Sequence, residues 1–373
     1  MRYFISFFLI FFNFIILDSF RNCFAFDLPA KEAFLMDYDT NEVLFSKNGS
    51  DKVAPSSMTK IMTAYLIFEK IQNGQIKLSD EFYVSENAWR QEGSRMFLKV
   101  NTKVTVEELL QGLVVQSGND AAVALAEGSS GNVDNFVKAM NIKAKEFGMK
   151  NTNFTNPIGM PDENHYMSVQ DTAILSEKLI KDFPEYYKRY FAEPEYTYNN
   201  IKQPNRNGLL GKYDGVDGIK TGHTDVGGYS MVNSAIRDNR RLISVINGVE
   251  SEKERIEQAR NLLDYGFYGL KKIQFYKSGD FISEVPVLYG KSNAKIIVEN
   301  DIFATTEDKS QVQIATDINT KLKAPIAKNT VIGKIRLKSL DNEMEYNLYV
   351  QDEVKEVNIF VKFFIFLKNL FAL

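Results

Sequence analysis

Metal-binding and disulfide chemistry are short of residues here. The chain holds one cysteine and two histidines in 373 residues, too few for a His/Cys metal cluster. Cys23 lies in an N-terminal segment that reads as an export signal. Arg2 precedes the apolar run Tyr3 to Leu17, and Cys23-Phe-Ala25 has the small-x-small form of a cleavage site. Cleavage after Ala25 leaves no cysteine and hence no disulfide, even in an oxidising compartment. An uncleaved N-terminal anchor is the alternative reading of residues 1–25. Phe20-Arg-Asn-Cys23 lacks the small residues expected before a lipidated cysteine, so lipidation is not expected. Charge of one sign is lacking too. A formal charge of −3 with no dense basic run gives no reason to invoke nucleic acid.

What is present is apolar content of 44%, ample for a core, in a chain long enough for two domains. One stretch carries chemistry: Val53-Ala-Pro-Ser-Ser-Met-Thr-Lys-Ile-Met-Thr-Ala-Tyr-Leu-Ile-Phe-Glu-Lys70. Pro55 ends the preceding chain, and Ile61, Ala64, Tyr65 and Phe68 recur at helical spacing, so a buried helix is expected to open at about Ser57. Three residues make almost one turn, which places Lys60 over Ser57. A lysine amine can take the serine proton, while free N–H groups and the helix dipole favour developing negative charge. Ser-x-x-Lys alone is weak. Ser292-Asn-Ala-Lys295 has the same spacing and reads as a solvated turn.

Downstream stand Ser117-Gly-Asn119 and Lys220-Thr-Gly222. Ser-x-x-Lys, Ser-x-Asn and Lys-Thr-Gly, in that order, are the three motifs of penicillin-binding proteins and serine β-lactamases. The flanks narrow this. Pro55-Ser-Ser-Met-Thr-Lys-Ile-Met-Thr63, Gly93-Ser-Arg-Met-Phe97, Gln116-Ser-Gly-Asn-Asp-Ala-Ala122 and Asp217-Gly-Ile-Lys-Thr-Gly-His-Thr224 closely resemble low-molecular-mass D-alanyl-D-alanine carboxypeptidases of bacteria, and the resemblance runs from about Phe26 to the C-terminus. Two decoys need setting aside. Ser130-Gly-Asn132 repeats the second tripeptide among Gly128, Ser129, Asp134 and Asn135, as expected of an exposed loop. Lys277-Ser-Gly279 imitates the third without the Asp217-Gly-Ile219 lead-in, so it reads as linker.

The resemblance implies the roles. Ser57 is the nucleophile and Lys60 the general base, its pKa lowered by burial and by a second ammonium, for which Lys220 is the candidate. Ser117 relays a proton to the leaving amine, and the Asn119 side chain binds a substrate amide. Lys220 supplies charge for the substrate's terminal carboxylate, Thr221 a hydroxyl, and Gly222 bare backbone against which a peptide can lie. The N–H groups of Ser57 and His223 form the oxyanion hole. The His223 side chain is not needed as a base, since Lys60 fills that role. His165 reads as a loop residue. Arg255 falls where the family carries an arginine on the terminal carboxylate, and a solvated helix position is the equal alternative. Val226 and the Gly159-Met-Pro-Asp-Glu-Asn-His165 loop depart from the family's usual residues.

Strands at both ends of the first 270 residues enclose a mostly helical middle. The expected fold is α+β, a β-lactamase/transpeptidase-like antiparallel sheet with helices. A small all-β sandwich follows, then an amphipathic C-terminal helix. The expected divisions are 1–25 signal, 26–272 catalytic domain, 273–352 β-sandwich and 353–373 helix. In that last segment Lys355, Asn358, Lys362 and Asn369 share one helical stripe, with aromatic and aliphatic residues round most of the rest. It is too short and interrupted to span, so an in-plane anchor is expected; a helix docked on the protein's own core is the alternative.

The expectation is therefore an exported serine-type D-Ala-D-Ala carboxypeptidase, peripheral on the outer face of the inner membrane. It would act on peptidoglycan stem peptides, be acylated by β-lactams, and need no metal or cofactor. The rivals are a D,D-endopeptidase on crosslinked peptides, a β-lactamase, for which no Glu-x-x-Leu-Asn loop appears between Ser117 and Lys220, and a catalytically inactive wall-binding scaffold.

Overall fold

The computed structural model describes residues 26–340 and 342–371. The expected export segment, residues 1–25, lies outside them. A five-stranded antiparallel sheet organises the first part of the chain. Its strands are β1 (Glu32–Asp37), β2 (Val43–Lys47), β3 (Val216–Thr224), β4 (Gly228–Arg237) and β5 (Arg240–Val249), in the spatial order β2-β1-β5-β4-β3. Successive side chains of a strand face opposite ways, and both faces here are covered. Phe34, Met36, Ile243 and Val245 enter one core; Leu35, Leu242 and Ile246 enter another. Strand β1 accordingly carries an unbroken apolar run, Ala33-Phe-Leu-Met36.

The first core is filled by α1 (Lys60–Gln72), α2 (Val106–Val114), α3 (Asn119–Ser130), α4 (Val133–Glu146) and α5 (Val169–Asp182). Helix α1 is its axis: every residue from Lys60 to Phe68 is buried. The alanines of α3 let it lie close, and Gly112 of α2 leaves room for Met96, whose Sδ would stand 2.3 Å from an added Cβ. The starts of α2 and α5 are capped by side chains. Thr105 and Glu108 make a reciprocal capping box at α2, and Ser168 caps α5, each worth about 1 kcal/mol. The second core lies under α6 (Glu252–Asp264), capped by Ser251.

Three boundaries differ from expectation. The C-terminal helix begins at Ile359 and not at 353, because Val354 and Glu356 bridge to the β domain. The helix expected to open at Ser57 begins as a 3-10 turn, Ser56–Thr59, and becomes α-helical only at Lys60. Pro55 supplies the carbonyl for Met58 N–H, and Ser56 takes a left-handed φ of 51°. The sequence from Glu252 to Tyr268 reads as one helix, but the helix ends at Asp264 and widens into a π-turn, Tyr265–Gly269. There Gly266 sits so close to the sheet that an added Cβ would stand 2.6 Å from Leu242 Cδ1. The short hairpin Glu195–Tyr198 with Ile201–Pro204 was not legible in the sequence.

From Lys271 the chain is β. Phe281–Val285, Ala294–Val298, Asn342–Val350, Val331–Ser339 and Gln313–Ile318 form a second five-stranded sheet in that order, with Lys271–Tyr276 paired on Ile302–Thr306 beside it. Ile296, Ile335, Leu337, Leu348 and Val350 close its core. The two parts meet at the β1–β2 turn. The Glu42 carboxylate accepts from Thr305 Oγ1 (2.6 Å) and N–H (3.2 Å), and the Asn342 amide bonds both ways with Val43. The chain ends in α7 (Ile359–Phe371), whose Ile359, Phe360 and Phe364 are 72%, 76% and 70% exposed. Those three side chains are not packed on the protein's own core. The Asn369 side chain lies outside the described side chains. No helix among the described residues is long and apolar enough to cross a membrane.

Candidate active site

The Ser56–Thr59 turn sits where α1 meets β3, the edge strand of the sheet. The Lys60 ammonium, at the first position of the buried helix, reaches back to Ser57 Oγ at 3.1 Å. It also donates to Asn119 Oδ1 (2.7 Å) and the Ile158 carbonyl (2.6 Å). No side-chain cap is made at the start of either turn, so Ser57 is not a capping serine. Its hydroxyl faces a cleft of about 320 Å³. Burial is the main cause that brings the Lys60 pKa down from 10.5 to about 7; the Arg206 guanidinium is the second, while Asp120 opposes both. Near neutral pH this amine can exist uncharged, as a general base must.

The Ser117 hydroxyl lies between α2 and α3. Its backbone is left-handed, φ 60°, and its Oγ accepts from Lys220 Nζ at 2.9 Å. Lys220 is buried, and its pKa is held well below the ordinary lysine value by burial first, then by Lys60, Arg206 and Arg255. The expectation that Lys220 is the charge depressing Lys60 is thus corrected in part: Arg206 ranks behind burial as the named cause. The Arg206 and Arg255 guanidiniums line the cleft and make a site that favours an anion.

Asn119 is more engaged than the sequence implied. Its Oδ1 holds Lys60, and its Nδ2 donates to the Glu92 carbonyl at 2.6 Å, which fixes the amide and leaves its second N–H and a lone pair for a substrate amide. Gly222 also carries a different load. An added Cβ there would stand 2.4 Å from Ser230 Oγ and 3.0 Å from Ser56 Cβ. Its bareness lets β3 close on the serine turn. Gly159 does the same from the loop that departs from family usage: φ is +86°, and a Cβ would fall 1.8 Å from the Ser56 carbonyl oxygen. Thr221 and the backbone of His223 line the cleft. The His223 ring is exposed and packs on Tyr229 at 4.0 Å, away from any base role.

Arg255 is resolved in favour of the cleft. It is 4% exposed, lies over the Tyr229 ring, pairs with Glu252 at 2.8 Å and lines the pocket. Three features were missed. Arg206 lines the cleft and donates to Ser94 Oγ at 2.6 Å; in sequence it is a lone arginine among Pro204, Asn205 and Asn207. Buried Asn207 fixes that loop by donating to the Gly218 carbonyl (3.0 Å) and Asn233 Oδ1 (3.1 Å). Asp120 ties down the Gly93–Phe97 loop by accepting from Met96 and Leu98 N–H. His165, expected as an ordinary loop residue, is buried beneath the serine turn. Its Nδ1 accepts from Thr155 N–H at 2.9 Å, which leaves Nε2–H to donate to Thr59 Oγ1 at 2.9 Å, and burial pushes its pKa down to about 4.

The decoys behave as decoys. Ser130 ends α3 ahead of Gly131, and Asn132 caps α4. Lys277 opens an exposed turn closed by Asp280, and Lys295 is exposed in a strand.

Comparison with known proteins agrees with this geometry. Residues 21–251 match the family D-alanyl-D-alanine carboxypeptidase, and residues 270–356 match the penicillin-binding protein 5 C-terminal domain. The chain is 42% identical over 346 residues to the D-alanyl-D-alanine carboxypeptidase DacA of Haemophilus influenzae, covering 90% of this chain and 88% of that one. It is 40% identical over 318 residues to DacF of Bacillus subtilis, covering 83% and 81%. The crystal structure of penicillin binding protein 5 from Haemophilus influenzae superposes with a TM-score of 0.70 at 42% identity, over 88% of this chain and 98% of that chain.

Proposed function

The chain belongs to the D-alanyl-D-alanine carboxypeptidase family, and from that membership we propose how its own residues carry the reaction. Its activity is that of a D-Ala-D-Ala carboxypeptidase, which removes the terminal D-alanine from peptidoglycan stem pentapeptides. The carrying observation is the Ser57–Lys60 pair: a hydroxyl 3.1 Å from a fully buried amine with a pKa near 7.

Neutral Lys60 takes the Ser57 proton as Oγ attacks the carbonyl of the penultimate D-alanine. The oxyanion forms against the N–H groups of Ser57 and His223. The proton then reaches the leaving amine through Ser117, hydrogen-bonded to Lys220. The C–N bond breaks, D-alanine departs, and the penultimate residue is left as an ester on Ser57. Water attacks that ester, Ser57 recovers its proton, and the shortened peptide leaves. Arg206, Arg255 and Thr221, which line the cleft, hold the terminal carboxylate, with the buried Lys220 behind them on Ser117. β-Lactams acylate the same oxygen and leave slowly.

The finer assignments are proposals too. Residues 26–272 form the catalytic unit, 273–352 the β domain and 353–373 the anchor. Residues 1–25 direct export, with cleavage after Ala25, and α7 lies in the plane of the outer leaflet of the inner membrane, a reading supported by its exposed apolar face.

The test is incubation of the purified protein with a stem pentapeptide, a crosslinked dimer and labelled penicillin. Released D-alanine with a lasting penicillin adduct is the expected result. Preferred cleavage of the dimer makes it an endopeptidase, rapid drug turnover a β-lactamase, and no reaction a scaffold.

A further inference from the structure

The chain enters α7 under tight local control. The Tyr289 carbonyl accepts from Val357 N–H at 2.9 Å, Lys291 N–H donates to the Lys355 carbonyl at 2.8 Å, and the Asn358 side chain caps the helix by accepting from Val361 N–H at 3.0 Å. These bonds set the first turns of the helix beside the β domain and leave a groove of about 320 Å³, lined by Tyr289, Lys323, Ile359, Lys362, Phe363 and Phe366. Two ammonium groups flank its aromatic wall: Lys323 Nζ lies 5.8 Å and Lys362 Nζ 5.6 Å from the Tyr289 ring centroid. Lys323 is held from the β domain side, where Leu322–Lys323 pairs in parallel with Val287–Leu288. Glu356 answers the Lys362 charge. Lys323 is exposed and, among the described residues, has no such carboxylate.

The same helix face is otherwise apolar, with Ile359 72%, Phe363 59% and Phe366 51% exposed on either side of Lys362. No Asp or Glu occurs from Val357 to Leu373. An amphiphile with an anionic head meets cations and apolar side chains together in this groove, and tyrosine and lysine belong at the level of lipid headgroups.

We propose that this groove seats one anionic glycerophospholipid, its phosphate between Lys323 and Lys362 and its acyl chains along Phe363 and Phe366. The proposal rests on the reading of α7 as an in-plane anchor, and gives that anchor a headgroup preference set partly by the β domain.

The test is co-sedimentation of the full chain with vesicles of phosphatidylcholine alone and of phosphatidylcholine with phosphatidylglycerol. Lys323→Ala is expected to lower affinity for the anionic vesicles about tenfold while leaving the neutral ones unchanged. Lys355→Ala, which removes the same charge from outside the groove, costs no more than about threefold. D-Alanine release from a soluble peptide stays at the parent rate in both, showing that both fold. Equal losses in the two variants, or none in either, overturn the seat alone. A chain ending at Glu356 that sediments as well as the full chain overturns the anchor reading and the seat with it. Vesicle-free dimerisation abolished by Phe363→Asp would put a second copy in the groove and also overturn the proposal.

Discussion

At the scale of single residues, the site is a contest between burial and charge. Lys60 has three acceptors in reach, yet burial and Arg206 bring its pKa to about 7. Removing Arg206 removes one of the named causes, so Arg206→Gln should move the inflection of the acylation rate against pH upward, by up to about one unit, and raise KM for the peptide. An inflection that stays put would mean burial alone tunes the amine. The same shift bears on stability. Between pH 7 and 10.5 the unfolded chain binds a proton at Lys60 that the native chain does not, so this group makes the protein more stable as pH rises through that window. Ser57, Lys60, Ser117 and Lys220 were legible because their motifs are local and ordered along the chain. Arg206 was not. A single arginine in a Pro- and Asn-rich loop acquires its meaning only when Asn207 pins that loop to β3 and β4.

At the scale of elements, turns and caps decide where the side chains arrive. Ser56 is held at φ 51°, with Gly159 and Gly222 packed against it. Gly159→Ala forces a methyl into the Ser56 carbonyl, and the expected outcome is a loss of at least about tenfold in penicillin acylation, together with a lower melting temperature. Thr105→Ala, by contrast, removes one half of the α2 capping box. It should cost about 1 kcal/mol of stability, read by denaturant unfolding, with kcat/KM unchanged. The long helices were legible because their apolar spacing is regular: the sequence from Val169 to Asp182 reads as a helix, and α5 has those bounds. The 3-10 opening before Lys60, the π-turn at Tyr265–Gly269 and the Glu195–Tyr198 hairpin were not. Each is too short to show a period, and the two turns are shaped by tertiary contact.

At the scale of the whole molecule, the catalytic and β parts are joined by polar bonds at the β1–β2 turn. Those bonds lie on the far hairpin of the sheet, four strands from β3. Loosening them with Glu42→Ala and Asn342→Ala should therefore speed limited proteolysis between the two parts several-fold while leaving D-alanine release unchanged; a matched fall in activity would show that the β domain supports the cleft. The change of character near Lys271 was visible in sequence because short β-rich runs replace helical spacing. The strand pairing Lys271–Tyr276 with Ile302–Thr306 was not, since partners in a sheet are chosen across the fold.

The central claim is that Ser57 attacks with the help of an uncharged Lys60. Its most direct test is intact-mass measurement of β-lactam acylation across pH, for the parent protein and for Ser57→Ala. The account predicts one adduct, absent from Ser57→Ala, forming at a rate that climbs about tenfold per pH unit below 7 and levels above it. An adduct that persists in Ser57→Ala, or a rate that falls as pH rises through neutrality, would contradict it.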